Sequence, residues 1–389
     1  MHILIIPSWY PKKTNEITGS FFREQAIALS KHDNKIGIIS PQLRSLKSMG
    51  SIFSGPYGMT SNLDEGMLTL RSHGMSWLPK IPYVSTWGWV NHGMKLFKNY
   101  RTECGDPDII HAHCLFNGGL LAHAISEKYG IPYVVTEHST AFTRGLIKSW
   151  QKRMALPVTL NAKSLFAVSE AFSEFLNSFF NNRVNWECMH NIVSSRFENY
   201  CHSSNHNNSD IFTFCNISTL DHKKGLDVLI QAFAKSFSKM KQIKLKIAGS
   251  GHLRNKLIRL TDELNISDQV EFVGTLSRDA VVNMIADSNS YVLSSRFETF
   301  GVVLIESLTL GKPVIATRCG GPESIIRPQD GFIVEKNNIP ALSDAISRMY
   351  TNYNSFDFSE IRKSSIERFG EITITNKLIN RYNKILSGI

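Results

Sequence analysis

Short apolar, β-branched runs alternate with longer amphipathic stretches along nearly the whole chain, and this alternation restricts the fold more than any other feature. Ile3–Ile6 precedes a helical pattern over Phe21–Leu29. Ile36–Ile39, Asp108–His111, Tyr133–Thr136 and Ser164–Val168 are further strand-like runs, with helical patterns over Gly118–Tyr129 and after Ser169. Strand and helix in alternation imply parallel strands joined by right-handed crossovers. The polar stretch Asn199–Asp210 breaks the rhythm and reads as a linker. Beyond it the rhythm restarts, with strands at Phe212–Cys215, Lys244–Ala248, Val270–Val273, Ser290–Leu293 and Pro313–Ala316. Helical patterns cover Gly225–Phe237 and Gly251–Leu264, another follows Phe300, and a helical tail reaches Ile389.

The 389 residues exceed what one core usually organises. The expected architecture is α/β, with two doubly wound, Rossmann-like domains at 1–200 and 206–370 and a C-terminal helix at 371–389 that resembles a tail crossing back onto the first domain. Ligands in such sheets bind outside the carboxyl ends of the strands, and two such domains facing each other make a cleft.

The net charge of +10 is dispersed: 20 basic against 14 acidic residues up to residue 200, and 23 against 19 beyond. A basic chain suits an anionic small molecule or an anionic membrane surface. Nucleic-acid binding calls for a clustered stripe and a recognised module, and neither is present. The six cysteines form no C-x-x-C pair and match neither zinc-site nor disulfide-framework spacing, so they read as reduced thiols of a cytoplasmic protein. Met1–Tyr10 lacks a basic flank and reads as a buried strand, and no apolar run reaches membrane-spanning length.

Chemistry concentrates in Ser294–Glu306. Glu298 lies in the loop after a strand, and a helix starting near Phe300 puts Glu306 about two turns in, on the face looking back to that loop. The N–H groups of Phe300 and Gly301 at such a helix start suit phosphate. A carboxylate accepts from two vicinal hydroxyls, so Glu306 suits a ribose and Glu298 a transferred sugar.

This segment resembles the E-x7-E signature of the family-4 retaining glycosyltransferases, which have the GT-B fold and use no metal. Asn216–Ile230 is similar to the strand, loop and helix in which the family keeps an Arg and a Lys on the donor pyrophosphate. Lys224 matches the Lys, whereas Thr219 stands where the Arg is common, leaving Lys223, Arg296 or His222 as replacements. Gly249 and Gly251 follow a strand as the family's Gly-x-Gly does. Gly274 ends the stretch resembling the loop near the base, and Thr317–Glu323 resembles its Gly-Gly-x-Glu turn. Ile17–Phe21 looks like the glycine loop after the first strand, with Gly19 and Ser20 facing donor phosphates and acceptor. His138 matches the family's cleft histidine, which hydrogen-bonds the transferred sugar, and His113 ends the neighbouring strand.

The resemblance implies a retaining, metal-independent hexosyltransferase with His138, Glu298 and Lys224 as catalytic residues. Gly19, Thr219, Lys224, Gly249, Gly274, Glu298, Thr299, Phe300, Gly301 and Glu306 would bind the donor, and His113 and Ser20 would lie toward the acceptor. The donor would be a nucleotide-diphosphate sugar and the acceptor a saccharide or a polyprenyl-diphosphate-linked saccharide of surface polysaccharide synthesis. A GT-B nucleotide-sugar isomerase is the alternative. The aromatic and basic stretch Trp77–Arg101 suits the acceptor, the cytoplasmic face of the inner membrane, or a helix packed in the first domain with its loop.

Overall fold

A computed structural model describes residues 1–11, 19–45, 56–76, 81, 83–201 and 211–388. Of the readings above, most of the 199–210 linker, the first half of the glycine loop, and Trp77 and Lys80 lie outside the described residues.

The chain divides into two compact units, Met1–His190 with Thr375–Ile389, and Asn191–Ile374. The division falls ahead of the polar stretch at 199–210. The helix Glu371–Ser387 starts in the second unit and counts with the first from Thr375 onward.

The first unit holds eight strands: β1 (His2–Pro7), β2 (Lys35–Ser45), β3 (Gly58–Asp64), β4 (Met67–Ser76), β5 (Ile109–His113), β6 (Tyr133–Glu137), β7 (Ser164–Ala167) and β8 (Trp186–Cys188). Their order is β3-β4-β2-β1-β5-β6-β7-β8. All neighbours are parallel except the hairpin β3/β4. That antiparallel edge corrects the all-parallel expectation. Its outer strand is almost wholly exposed and carries too few apolar residues to show a strand pattern. β1, by contrast, is apolar and buried from Ile3 to Pro7, as a strand covered on both faces must be.

Helix Val84–Cys104 packs on this sheet. A Cβ on Gly37 of β2 would fall 2.0 Å from the Tyr100 hydroxyl, so the glycine makes room for the ring. Trp89, Phe97 and Tyr100 are therefore core residues, not part of an acceptor or membrane face. Burying such rings stabilises by roughly 1.5–3 kcal/mol each. Trp87, Tyr83 and Val84 do face solvent, Trp87 at 70% exposure.

The second unit holds β9 (Phe212–Ile217), β10 (Ile243–Ala248), β11 (Val270–Gly274), β12 (Ser290–Leu293), β13 (Val314–Arg318) and β14 (Gly331–Glu335), all parallel, ordered β11-β10-β9-β12-β13-β14. The order reverses between β9 and β12, which makes the carboxyl ends of those two strands the switch point. Helix Leu226–Phe237 shows why the sequence folds this way. Leu226, Leu229, Ile230, Phe233 and Phe237 recur at helical spacing and are all buried against the sheet core. Gly225 opens the helix at φ 62°, a conformation few other residues adopt, and its missing Cβ avoids a 2.1 Å clash with the Ser294 carbonyl. The β9 loop is thereby pressed against the β12 loop.

Candidate functional site

In the second unit the loops after β9 and β12 meet at the switch point. Lys224 Nζ donates to Glu298 Oε2 at 2.7 Å, joining the two loops, and both side chains are mostly buried. The Ser295 hydroxyl donates to the same carboxylate oxygen, 3.3 Å away. The Glu298 backbone is held by its N–H to the Cys319 carbonyl and by a bridge to Gly320. Burial alone would pull the Lys224 ammonium down, but the Glu298 carboxylate outweighs it and the net shift is upward. Lys224 is thus a fixed cation at the strand ends.

The helix after β12 is Val302–Thr309, with Gly301 as its N-cap at φ 110°. Phe300 therefore precedes the helix, with its ring buried against Phe369. Thr299 beside it is also buried. Leu304 N–H returns to the Gly301 carbonyl, which leaves Val302 and Val303 as the first-turn N–H groups with no intrahelical acceptor. Glu306 sits about one turn in, not two, and is only 1% exposed. Arg278, the first residue of helix Arg278–Ala286, donates to its Oε1 at 2.6 Å. The guanidinium also lies 5.1 Å from the Phe197 ring. A buried carboxylate of this kind is tolerable only with such a partner.

Glycines set the floor of the site. A Cβ on Gly249 would meet the Ser218 carbonyl at 1.8 Å, and one on Gly321 would meet the Phe300 N at 2.4 Å. Gly249 N–H donates to the Gly274 carbonyl at 2.7 Å, tying the ends of β10 and β11. Thr219 is turned inward on its own loop: its hydroxyl donates to Asp221 Oδ2 at 2.9 Å. Arg296 does not replace the missing cation. Its guanidinium is committed to both Asp227 oxygens, the His222 carbonyl and Asn337. Lys223 lies 3.8 Å from Asp221.

In the first unit, Gly19 caps helix Ser20–Ser30 at φ 80°, and Ser20 is the first helical residue. His113 ends β5 and His138 follows β6, with His113 Nδ1 and His138 Nε2 3.1 Å apart. Phe22 packs on both rings, with centroids 4.7 and 5.0 Å away. Behind them, His111 bridges Thr136 and the Tyr382 hydroxyl at 2.7 and 2.6 Å. The fully buried Glu137 accepts N–H bonds from Leu115, His138 and Ser139, so one carboxylate shapes the loops after β5 and β6. Ser8 links the ends of β1 and β5, donating to the His113 and Phe116 carbonyls and accepting from Gly118 N–H. Sequence reasoning missed Glu137, Ser8 and Arg278. Only Glu137 carried a local signal, as a carboxylate at the end of an apolar strand.

Burial holds His111 and His138 down to about 3, and His113 well below its usual value with the other two rings adding to the effect. All three are neutral near pH 7. The unfolded chain takes up these protons below about pH 6.5, so their contribution to stability is whole above that pH and is lost as pH falls toward 3. We expect urea unfolding monitored by Trp fluorescence to show stability falling from pH 7 to pH 5. His138→Gln should flatten that fall.

Two α/β units on largely parallel sheets, each with chemistry gathered at its strand ends, are the architecture of the GT-B class. Residues 201–367 match the family described as glycosyl transferases group 1, and residues 52–195 match glycosyltransferase family 4. The chain belongs to the family-4 glycosyltransferases. It is 28% identical over 296 residues to an uncharacterised glycosyltransferase of Methanocaldococcus jannaschii, covering 73% of this chain and 76% of that one. Among solved structures it is similar to sucrose-phosphate synthase from Thermosynechococcus elongatus, with TM-score 0.79, 17% identity and 100% of both chains covered. It is also similar to Anabaena HepE in complex with UDP-glucose, with TM-score 0.71, 17% identity and 100% of both chains covered.

Proposed function

We propose that the protein is a retaining, metal-independent hexosyltransferase that uses a nucleotide-diphosphate sugar as donor. The observation that carries this reading is the Lys224–Glu298 pair across the switch point, with the buried Glu306 one turn into the next helix. The solved complex of HepE with UDP-glucose supports a donor of this kind. Lys224 and the first-turn amides after Gly301 would balance the charge developing on the leaving diphosphate. Glu306 would accept from the ribose hydroxyls and Glu298 from those of the transferred sugar. His138, neutral at working pH, would donate to or accept from a sugar hydroxyl and is no general acid. The anomeric C–O bond to the diphosphate breaks as an acceptor oxygen attacks from the same face. The acceptor proton then passes to a diphosphate oxygen. No metal takes part in this donor chemistry.

The acceptor is proposed to be a saccharide, free or carried on a polyprenyl diphosphate, in surface polysaccharide synthesis. Tyr83, Val84, Trp87 and Leu146 are exposed, the Tyr83 ring lies 5.1 Å from that of Trp150 at a tilt of 55°, and Lys148, Lys152 and Arg153 lie along the adjoining helix Ser149–Asn161 and its cap. Exposed aromatics with basic residues favour an anionic bilayer face. No helix among the described residues is long and apolar enough to cross a membrane.

Calorimetric titration with a panel of nucleotide-diphosphate sugars tests the reading. We expect one donor to bind in the presence of a chelator and to be lost in Glu306→Ala. Binding by no member of the panel to folded protein would refute it. Conversion of the donor without an acceptor would point to an isomerase.

A further inference from the structure

Cysteine spacing in the sequence gives no hint of a metal site, yet the fold assembles one set of mixed donors in the first unit. Glu170 opens helix Glu170–Phe179, Cys188 ends the edge strand β8, and His190 follows two residues later. Being two apart, Cys188 and His190 are able to present their side chains to the same side of the chain. His190 Nε2 lies 3.3 Å from Glu170 Oε1 and 3.4 Å from Oε2. One donor atom from each of the three residues falls within 4.8 Å of the others, and this is the one such His/Cys/Asp/Glu group among the described residues.

We infer that Glu170, Cys188 and His190 form a binding site for a zinc-type divalent cation, separate from the donor site. A tetrahedral zinc ion with ordinary bond lengths separates a nitrogen and an oxygen ligand by about 3.4 Å, and sulfur from either by about 3.6 Å. The His190–Glu170 spacing already equals the first of these. The donor set of thiolate, imidazole and carboxylate is the borderline-soft mixture that selects zinc over magnesium or calcium. Two anionic ligands neutralise a dication. Cys188 and His190 are half-buried and Glu170 is exposed, so an ion reaches the trio from solvent. Three protein ligands leave a fourth position for water or an outside ligand.

Two local charges shape the affinity. Burial and then the Glu170 carboxylate push the Cys188 thiol up, while Lys377 pulls it down. A thiol ligates as the thiolate, so binding displaces the Cys188 proton. The ion would fasten the end of β8 to the start of a helix, next to His190, the last residue of the first unit before the chain enters the second. The consequence is a chain crossing stiffened by zinc.

The site is tested on the full chain, stripped with chelator and titrated with cobalt(II) under reducing conditions. We expect saturation at one equivalent, with a thiolate-to-cobalt charge-transfer band in the near ultraviolet and the strong visible bands of a tetrahedral site. Zinc should displace the cobalt and raise Tm by several degrees when in large excess over its Kd. Cys188→Ser should abolish the charge-transfer band, and Glu170→Gln and His190→Asn should each weaken binding at least about tenfold. Circular dichroism of each variant separates loss of binding from loss of fold, and Glu170→Gln removes an exposed ligand without touching the core. A charge-transfer band that survives Cys188→Ser would assign the metal to another thiol and overturn the proposal. So would the lack of any saturable cobalt spectrum in the folded wild-type chain. Neither result depends on turnover, so each stands apart from the donor reading.

Discussion

Lys224→Ala is expected to lower kcat by about 10²–10³-fold with a modest rise in donor KM. The ammonium acts on charge that grows as the diphosphate leaves, and removing one such preorganised donor typically has this effect. The variant also strips the mostly buried Glu298 carboxylate of its 2.7 Å cationic partner, leaving the Ser295 hydroxyl beside it. Thermal unfolding must therefore accompany the kinetics. If the pair were only structural, Lys224→Ala and Glu298→Gln would lower Tm alike and leave kcat of the folded fraction unchanged. If Lys224 serves the transition state, kcat falls in the folded fraction, and Lys224→Arg recovers part of it. Steady-state rates on samples of matched folded content separate the two. A kcat within threefold of wild type would end the assignment of Lys224 to the leaving group.

The central strands of the two sheets were readable because parallel strands covered on both faces are nearly continuous apolar runs, as at Ile3–Ile6 and Ser290–Leu293. The hairpin β3/β4 was not readable, since Gly58–Asp64 is polar and solvent-facing and holds its place by pairing alone. The same contrast runs through the site. Glu298, Gly301 and Glu306 stand in one short segment, so their grouping is local. Their partners are not: Lys224 is 74 residues from Glu298, and Arg278 is 28 from Glu306. Such pairings follow from the sheet order, which no local pattern encodes. Among the three possible replacements for the cation missing at Thr219, Arg296 drops out for this reason, because Asp227 on the neighbouring helix holds that guanidinium. Trp89 and Tyr100 were ambiguous because a helix face that covers a sheet and one that faces a membrane share their composition, and their burial, with Gly37 beneath Tyr100, decides for the sheet. The Glu170–Cys188–His190 trio escaped notice because helix start and strand end meet only in three dimensions.

Glu306→Ala joins two effects of comparable size, and a second substitution separates them. The carboxylate is almost wholly buried and bonded to Arg278, whose side chain is 11% exposed. Removing one partner of a buried ion pair destabilises by about 3–5 kcal/mol, because the surviving charge stays out of water. A fall in donor binding after Glu306→Ala would thus have two sources, a weakened second unit and a lost ribose acceptor. Replacing both partners by apolar residues of similar size removes the stranded charge and is often neutral for stability. The double variant Arg278→Met with Glu306→Leu should therefore regain most of the Tm lost in Glu306→Ala while donor affinity stays at least about 10²-fold below wild type, since no group is left to accept from the ribose. Arg278→Met alone should keep Glu306 in place but less well aimed. It should raise donor KM more than it lowers kcat, and Arg278→Lys should restore part of the loss. Calorimetric donor titration, thermal unfolding and steady-state rates on the same four variants read all of this. Donor binding regained along with stability in the double variant would leave Glu306 a structural residue.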